Sequence, residues 1–192
     1  MNFIEIYDNA LPSEDCDRLI KKFESPSTPK FEGCVYIDGE RKVDHTHKRS
    51  KEVEQCTFGS KSNVIMSIGS LILPHLAHCL DQYKNKYNGL CIDVSPWTIE
   101  DGFTFKKFEG EESRYKRWHC EHTSGYPSSR LGVWMFYLNN AEGTEFKYQN
   151  NIRAKKGRCV IWPAFWTHIH RGAPNKGTKY IISGWLRFKE ST

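Results

Sequence analysis

The chain has 192 residues and a mass of 22.4 kDa, with 38% hydrophobic, 14% aromatic and 27% charged residues, the size and balance of one compact domain with its own core. Its 28 Lys and Arg against 23 Asp and Glu give a formal charge of +5 without a long block of like charge, which argues against a nucleic-acid-binding tail. Seven cysteines with no CxxC pair argue against a disulfide framework and predict reduced thiols in a cytoplasmic setting.

Asn2 to Tyr7 alternate apolar and polar side chains, the period of a half-buried strand; early acids and the lack of a basic start before an apolar block predict no secretory leader. Leu11-Pro12-Ser13 then opens a helical pattern. Ser13 is the expected N-cap, Glu14, Asp15 and Asp17 suit the first turns, and Cys16, Leu19, Ile20 and Phe23 share a face before Ser25-Pro26 ends the helix. Residues 26–60 are rich in Pro, Gly, Ser and charge and predict a long loop with one hairpin turning at Asp38-Gly39, the kind of segment that often covers a site. From Ser60 to Tyr87 the apolar positions Val64, Ile68, Leu71, Ile72, Leu76, Cys79 and Leu80 keep helical spacing, with Pro74 expected to break or kink the middle. Ser67, Gly69, Ser70, Pro74, His75 and His78 interrupt that stretch, so no membrane span is expected.

From Gly102 the pattern changes to short β-rich runs: Phe103–Phe108, Tyr115–Glu121, Arg130–Leu138, Thr144–Tyr148, Arg158–Trp162 and Lys179–Phe188. Strands this short and this close predict an α+β, mainly β fold, a sandwich or jelly roll closed by antiparallel pairing with the helices packed outside. No repeat or composition shift marks a second domain. Residues 1–192 therefore read as a single domain, with helical support and loop over 1–98 and the β core over 99–188. Residues 1–96 hold 12 basic and 14 acidic side chains and residues 97–192 hold 16 and 9, so the second half carries +7, either as solvated surface or to handle an anion.

Four histidine-bearing segments compete as sources of metal ligands. Asp44-His45-Thr46-His47 lies in the charged loop and reads as solvated surface; His75 and His78 share a helix face but suit capping or packing. Trp118-His119-Cys120-Glu121 falls on a predicted strand, where residues i and i+2 point to the same side, so His119 and Glu121 converge. Thr167-His168-Ile169-His170 follows far along the chain, with Lys179 nine residues beyond His170. Two imidazoles and one carboxylate on one face of an iron leave three positions free, the arrangement that non-heme Fe(II) oxygenases use. His168 shares a face with His170 and is the alternative ligand; the spacing to Lys179 and the following Gly-Ala-Pro favour His170. Cys120 should face away as a small core filler, and His122 reads as surface or as a group behind the ligands.

At these residues the chain resembles the iron(II)- and 2-oxoglutarate-dependent dioxygenases, in particular the prolyl 4-hydroxylase-like branch with small bacterial and bacteriophage members. The likeness covers roughly residues 99–188, through Trp134-Met-Phe-Tyr-Leu-Asn, Glu142-Gly-Thr-Glu-Phe146, Ile161-Trp-Pro163, His170-Arg-Gly-Ala-Pro174 and Lys179-Tyr-Ile-Ile-Ser-Gly-Trp185. The resemblance implies a double-stranded β-helix (jelly roll) core with supporting N-terminal helices, and Fe(II), 2-oxoglutarate and O2 as reactants. It implies His119, Glu121 and His170 as metal ligands, and Lys179 as partner of the distal carboxylate of 2-oxoglutarate with Tyr137 and Ser183 as hydrogen-bond donors beside it. The activity implied is hydroxylation of an unactivated carbon, first of all in a peptidyl proline, with decarboxylation of 2-oxoglutarate to succinate; a free amino acid or other small molecule is the alternative substrate.

This chain departs from the family at two positions. Glu121 stands where relatives carry Asp, which moves the carboxylate outward by one methylene, and Phe108 stands where relatives tend to carry Tyr, a loss that Tyr115 is placed to offset. From the residues alone, Lys179 has two readings, a snorkelling strand-end lysine or a buried cation answered by an anionic small molecule; Ser183 shares its strand parity. Trp118, Trp134, Phe136, Trp162 and Phe165 are expected in the core, with Trp166 and the loop His122–Ser129 near the pocket mouth. A nucleic-acid partner is not expected, since Lys179 lacks the paired arginines of the demethylase branch. The rival from another class is a non-catalytic jelly-roll module keeping a structural zinc through His119, Cys120, His168 or His170.

Overall fold

The computed structural model describes residues 2–37, 40–87 and 96–189; the predicted turn at Asp38-Gly39 and Cys91 lie outside the described residues. In chain order the elements are β1 (Glu5–Tyr7), α1 (Ser13–Glu24), β2 (Phe31–Glu32), β3 (Val35–Ile37), β4 (Glu40–Lys42), β5 (Lys51–Thr57) and α2 (Asn63–Lys86). They continue with β6 (Trp97–Glu109), β7 (Arg130–Tyr137), β8 (Ala141–Phe146), β9 (Ile152–Ala154), β10 (Arg158–Pro163), β11 (His170–Gly172) and β12 (Thr178–Phe188). One antiparallel sheet runs β1-β10-β7-β12-β6-β5-β2, a second runs β11-β8-β9, and β3 and β4 form the expected hairpin.

Side-chain alternation in the large sheet explains why it is covered on both faces. Phe103 and Phe105 of β6, Trp134 and Phe136 of β7, Cys159 and Ile161 of β10, and Ile182 and Leu186 of β12 face one way. They pack there on Cys16, Leu19 and Phe23 of α1 and Ile68, Ile72, Leu76 and Cys79 of α2. The alternate residues Phe108, Val133, Tyr137, Val160, Trp162 and Ile181 face the other way, onto Phe146 of β8 and Ile152 and Ala154 of β9. The result is a jelly-roll sandwich with its helical layer on the outside.

Several expectations are corrected in detail. Pro12, not Ser13, precedes the first helical residue of α1, and its carbonyl accepts the Asp15 and Cys16 N–H groups at 3.1 and 3.0 Å. Pro74 leaves α2 unbroken because it lies on the exposed face, where the carbonyl one turn back meets water. By length and composition α2 does qualify as a membrane-crossing helix, against the expectation; in this fold its buried stripe, Ile68, Ile72, Leu76, Cys79 and Leu80, docks on the sheet. The predicted loop 26–60 contains β5, which pairs with β6 inside the large sheet, so the first half contributes strands as well as helices. Cys16, Cys34, Cys56, Cys79, Cys120 and Cys159 are all free thiols.

Candidate active site

His119 and Glu121 stand on the stretch before β7 that the sequence predicts as a strand. It is an irregular extended segment instead, pinned at single points: Tyr115 bridges to Lys48, and His119 and His170 exchange backbone hydrogen bonds of 3.0 and 2.9 Å. The N–H groups of Glu121 and His122 both donate to the Ala164 carbonyl at 3.0 Å, a convergence that a regular ladder does not permit. Extended backbone still turns residues i and i+2 the same way. His119 Nε2 lies 3.4 Å from Glu121 Oε1, and His170 Nε2 lies 3.8 Å from the same oxygen. The three candidate ligand atoms all fall within 4.8 Å of one another.

Both imidazoles are oriented through their other nitrogen. His119 Nδ1 is 3.0 Å from the Arg117 carbonyl and His170 Nδ1 is 2.9 Å from the His168 carbonyl. A carbonyl oxygen only accepts, so each Nδ1 carries a proton, and in the neutral form that binds metal each Nε2 turns a lone pair toward Glu121. Three lone-pair donors facing one another make a cation site, and two imidazoles with one carboxylate suit a divalent transition metal. The second carboxylate oxygen, Oε2, accepts the Trp185 indole N–H at 2.8 Å and lies 3.7 Å from Arg130, so Oε1 is left for the cation. This is how the longer Glu side chain is accommodated.

Burial alone would raise the Glu121 carboxyl, but in the absence of metal the hydrogen bond and charge of a protonated His119, with His170 and Lys106, hold it far below the ordinary carboxylate range. Burial pushes His170 down to about 3, with the charge of His119 adding to the shift, which keeps the ring in the neutral form that binds metal. Tyr115 stacks on His119 with ring centroids 3.7 Å apart, and Trp162 meets His170 edge-on at 5.2 Å.

The other candidates separate cleanly. His168 is buried away from the cluster, its Nε2 donating to the Asn2 carbonyl at 2.6 Å, which removes it as a ligand. His122 Nδ1 donates to the Arg130 carbonyl at 2.9 Å. Cys120 is half-buried with its Sγ 3.4 Å from the His122 carbonyl; it lines the cavity rather than filling the core. Trp118 is 39% exposed under the Arg171 guanidinium, not in the core as expected, while Trp134, Phe136 and Trp162 are fully buried. Thr123 and Pro127 of the predicted mouth loop do line the cavity, whereas Trp166 is 70% exposed on the outer surface.

From the three candidate ligands a cavity of about 560 Å³ extends over the inward faces of β6, β7 and β12. Lys179 lies on its wall at 3% exposure, with Nζ donating to the Gly143 carbonyl at 3.0 Å and 5.3 Å from the centre of the Phe108 ring. Burial, with Arg114 nearby, brings its ammonium down to about 8 against the opposing pull of Glu142 and Glu145. Tyr137 lies across from Ile181 and shares a 2.6 Å hydrogen bond with Thr144 Oγ1. Ser183 lines the same cavity two pleats along β12 from Lys179, its hydroxyl 3.0 Å from that of Thr104.

Sequence reasoning missed Lys106, Arg130 and the group Lys48, Ser50 and Glu52, all on this wall or directly behind it. Arg130 forks onto Glu100 at 2.9 and 3.0 Å and stacks 3.6 Å over Trp185, the residue that holds Glu121. Two consecutive lysines inside a strand were the available signal for Lys106, since alternation must send one of them inward.

Residues 103–187 match the sequence model of the 2OG-Fe(II) oxygenase superfamily. They form a 2OG-Fe(II) oxygenase domain. The oxygenase therefore takes Fe(II), 2-oxoglutarate and O2, and the His119, Glu121 and His170 cluster has the donor set for the metal. Its fold is that of a viral collagen prolyl hydroxylase from Paramecium bursaria Chlorella virus-1, solved with 2-oxoglutarate, at a TM-score of 0.61 and 17% identity over 98% of this chain and 97% of that one. A Pseudomonas putida prolyl-4-hydroxylase matches at 0.65 and 13% identity over 99% and 95% of the two chains. A Trichoplax adhaerens prolyl hydroxylase, solved with a peptide fragment of the hypoxia inducible factor oxygen degradation domain, matches at 0.68 and 13% over 97% and 84%. No curated protein matches the chain in sequence.

Proposed function

We propose that this oxygenase hydroxylates an unactivated carbon of a prolyl residue, with His119, Glu121 and His170 holding Fe(II) and Lys179 pairing with the distal carboxylate of 2-oxoglutarate. The observation that carries the reading is the cluster itself: two Nε2 lone pairs fixed by backbone carbonyls and one free carboxylate oxygen converge beside a cavity with a buried cation on its wall. When bound, the metal would let O2 oxidise 2-oxoglutarate and the substrate together, one oxygen atom going to succinate as CO2 leaves and the other into the C–H bond of the substrate as a hydroxyl.

The chain's own work is positioning. The Arg117 and His168 carbonyls keep both rings in the ligating tautomer, and Trp185 with Arg130 fixes which oxygen of Glu121 faces the metal. Tyr137 and Thr144 give the wall near Lys179 a hydroxyl pair, Ser183 and Thr104 a second one further along, and Phe108, Trp162 and Ile181 keep that wall dry. Prolyl hydroxylases among proteins of this fold make a peptidyl proline the first substrate to test, and the free cysteines are consistent with a reducing, cytoplasmic setting. A free amino acid is the second reading, favoured by Lys106, which has no ion-pair partner among the described residues. A closed zinc site is disfavoured because, among the described residues, no fourth His, Cys, Asp or Glu joins the cluster.

The test is substrate-coupled succinate formation with a panel of prolyl peptides and free amino acids. His119→Ala and His170→Ala are each expected to abolish it together with tight Fe(II) binding; normal turnover in both variants would reject the assignment.

A further inference from the structure

Lys106 sits mid-strand on β6, opposite Ile181 of β12 on one side and Glu52 of β5 on the other. Because Phe103 and Phe105 face the helices, Thr104, Lys106 and Phe108 face the cavity. Its neighbour Lys107, on the opposite face, is answered by Glu24 at 3.1 Å and Glu109 at 3.5 Å. Lys106 has no hydrogen bond or ion pair among the described residues, although it is partly buried.

The carboxylate nearest in register is already taken. Glu52 Oε1 accepts from Lys48 Nζ at 2.9 Å and from Ser50 Oγ at 2.7 Å, and all three residues are buried. The link before β3 closes tightly over them: a Cβ on Gly33 would fall 2.0 Å from Ser50 Oγ and 2.7 Å from Glu52 Oε1. On the same wall Arg130 is spent on Glu100 and Arg171 on Glu145 at 2.6 Å. Loading the site does not answer Lys106 either. A divalent metal and the Lys179 ammonium together would cancel Glu121 and a doubly charged 2-oxoglutarate, which leaves Lys106 without a counter-charge among the described residues. An unanswered cation shielded from water is costly, so the geometry calls for one more anion.

We propose that Lys106 is the substrate-reading residue of this oxygenase and that it pairs with a substrate carboxylate, either the free α-carboxylate of an amino or imino acid or the acidic side chain of a peptide. This rests on the oxygenase reading above and narrows its substrate class. Burial pulls the ammonium below its ordinary value while Glu52 and Glu121 support it, so an arriving carboxylate is drawn to a group poorly compensated without it.

The experiment uses paired compounds, free amino and imino acids and short prolyl peptides with acidic neighbours, each as carboxylate and as primary amide, assayed by substrate-dependent succinate release. In the wild type, amidation is expected to lower kcat/KM by about tenfold or more, the scale of a lost charged partner. Lys106→Met should lose the same factor on the carboxylate and little further on the amide, with KM for 2-oxoglutarate unchanged, and Lys106→Arg should recover most of the loss even if the Met variant folds poorly. Activity on the free acid points to the α-carboxylate, and activity only on acidic peptides to the side chain; both support the proposal. Equal use of carboxylate and amide by the wild type overturns it, and so does a raised KM for 2-oxoglutarate in Lys106→Met. Silence across the panel with substrate-independent succinate formation intact also overturns it while leaving the oxygenase reading standing, whereas loss of that basal reaction in the wild type overturns the oxygenase reading itself.

Discussion

Lys179 is 3% exposed and its hydrogen bond runs to a neutral acceptor, the Gly143 carbonyl, so its charge is only partly answered before an anion arrives. With the ammonium brought down to about 8 by burial, cosubstrate capture acquires a pH limit. The protonated form is the one that pairs with a carboxylate, and the free enzyme loses it as pH rises through that value. The expected result is kcat/KM for 2-oxoglutarate falling about tenfold per pH unit above the limb, with kcat at saturating cosubstrate nearly flat. Lys179→Arg should move the limb beyond the accessible range, and Lys179→Ala should raise KM for 2-oxoglutarate at every pH; a limb that survives both changes would assign it elsewhere. Glu121→Asp withdraws the carboxylate from Trp185 by one methylene, so metal affinity is expected to fall by about 10–100-fold in an equilibrium titration, the usual loss when a ligand's support is removed. At this scale the sequence was informative where spacing mattered: His119, Glu121, His170 and Lys179 converge on one cavity as their order suggested. It was silent on Lys106 and Arg130, because alternation says that a lysine turns inward but not that the inside is a cavity.

Among the elements, the long strands were legible because both faces of the large sheet are covered and their alternation is steep, as in Phe103, Phe105 and Phe108 of β6. β9 and β11 were not, since each is three residues long and owes its conformation to partners rather than to its own pattern. β5 was hidden by charge: Lys51, Glu52 and Glu54 read as loop, yet Glu52 is buried against Lys48 and Ser50. The segment 115–121, which carries two of the candidate ligands, failed as a strand for the opposite reason, looking β-rich while being tied at isolated points. Close approach between β8 and β9 gives an element-scale test. A Cβ on Gly143 would lie 1.9 Å from the Ile152 carbonyl oxygen and 2.7 Å from the Ala154 nitrogen, backbone atoms that cannot rotate away. Gly143→Ala is therefore expected to push β8 off β9, destabilise the protein by about 1–3 kcal/mol, and move the carbonyl that holds Lys179, so that KM for 2-oxoglutarate rises along with the fall in melting temperature.

For the whole molecule, the fold separates what makes the protein stable from what makes it reactive. The face of the large sheet built on Trp134, Phe136 and Ile182 belongs to α1 and α2, and the face built on Tyr137, Trp162 and Ile181 belongs to the site. Removing volume on the helical side should lower stability without disturbing the ligands. Leu76 is fully buried on α2, so Leu76→Ala is expected to cost about 2–5 kcal/mol. A metal held by His119, Glu121 and His170 would act on the opposite side, joining the 119–121 segment to β11 across a long stretch of chain, and by linkage would stabilise only the folded state. At a hundredfold excess over its dissociation constant that increment is about 2.7 kcal/mol, worth roughly 5–10 °C for a chain of this size. Anaerobic melting with Mn(II) and 2-oxoglutarate reads both terms at once. Leu76→Ala should melt lower than the wild type in either state yet keep the full metal-induced rise, whereas His170→Ala should lose that rise. If Leu76→Ala also abolished the rise, the two faces of the sheet would be coupled, and the helical layer would have to be counted as part of the site it supports.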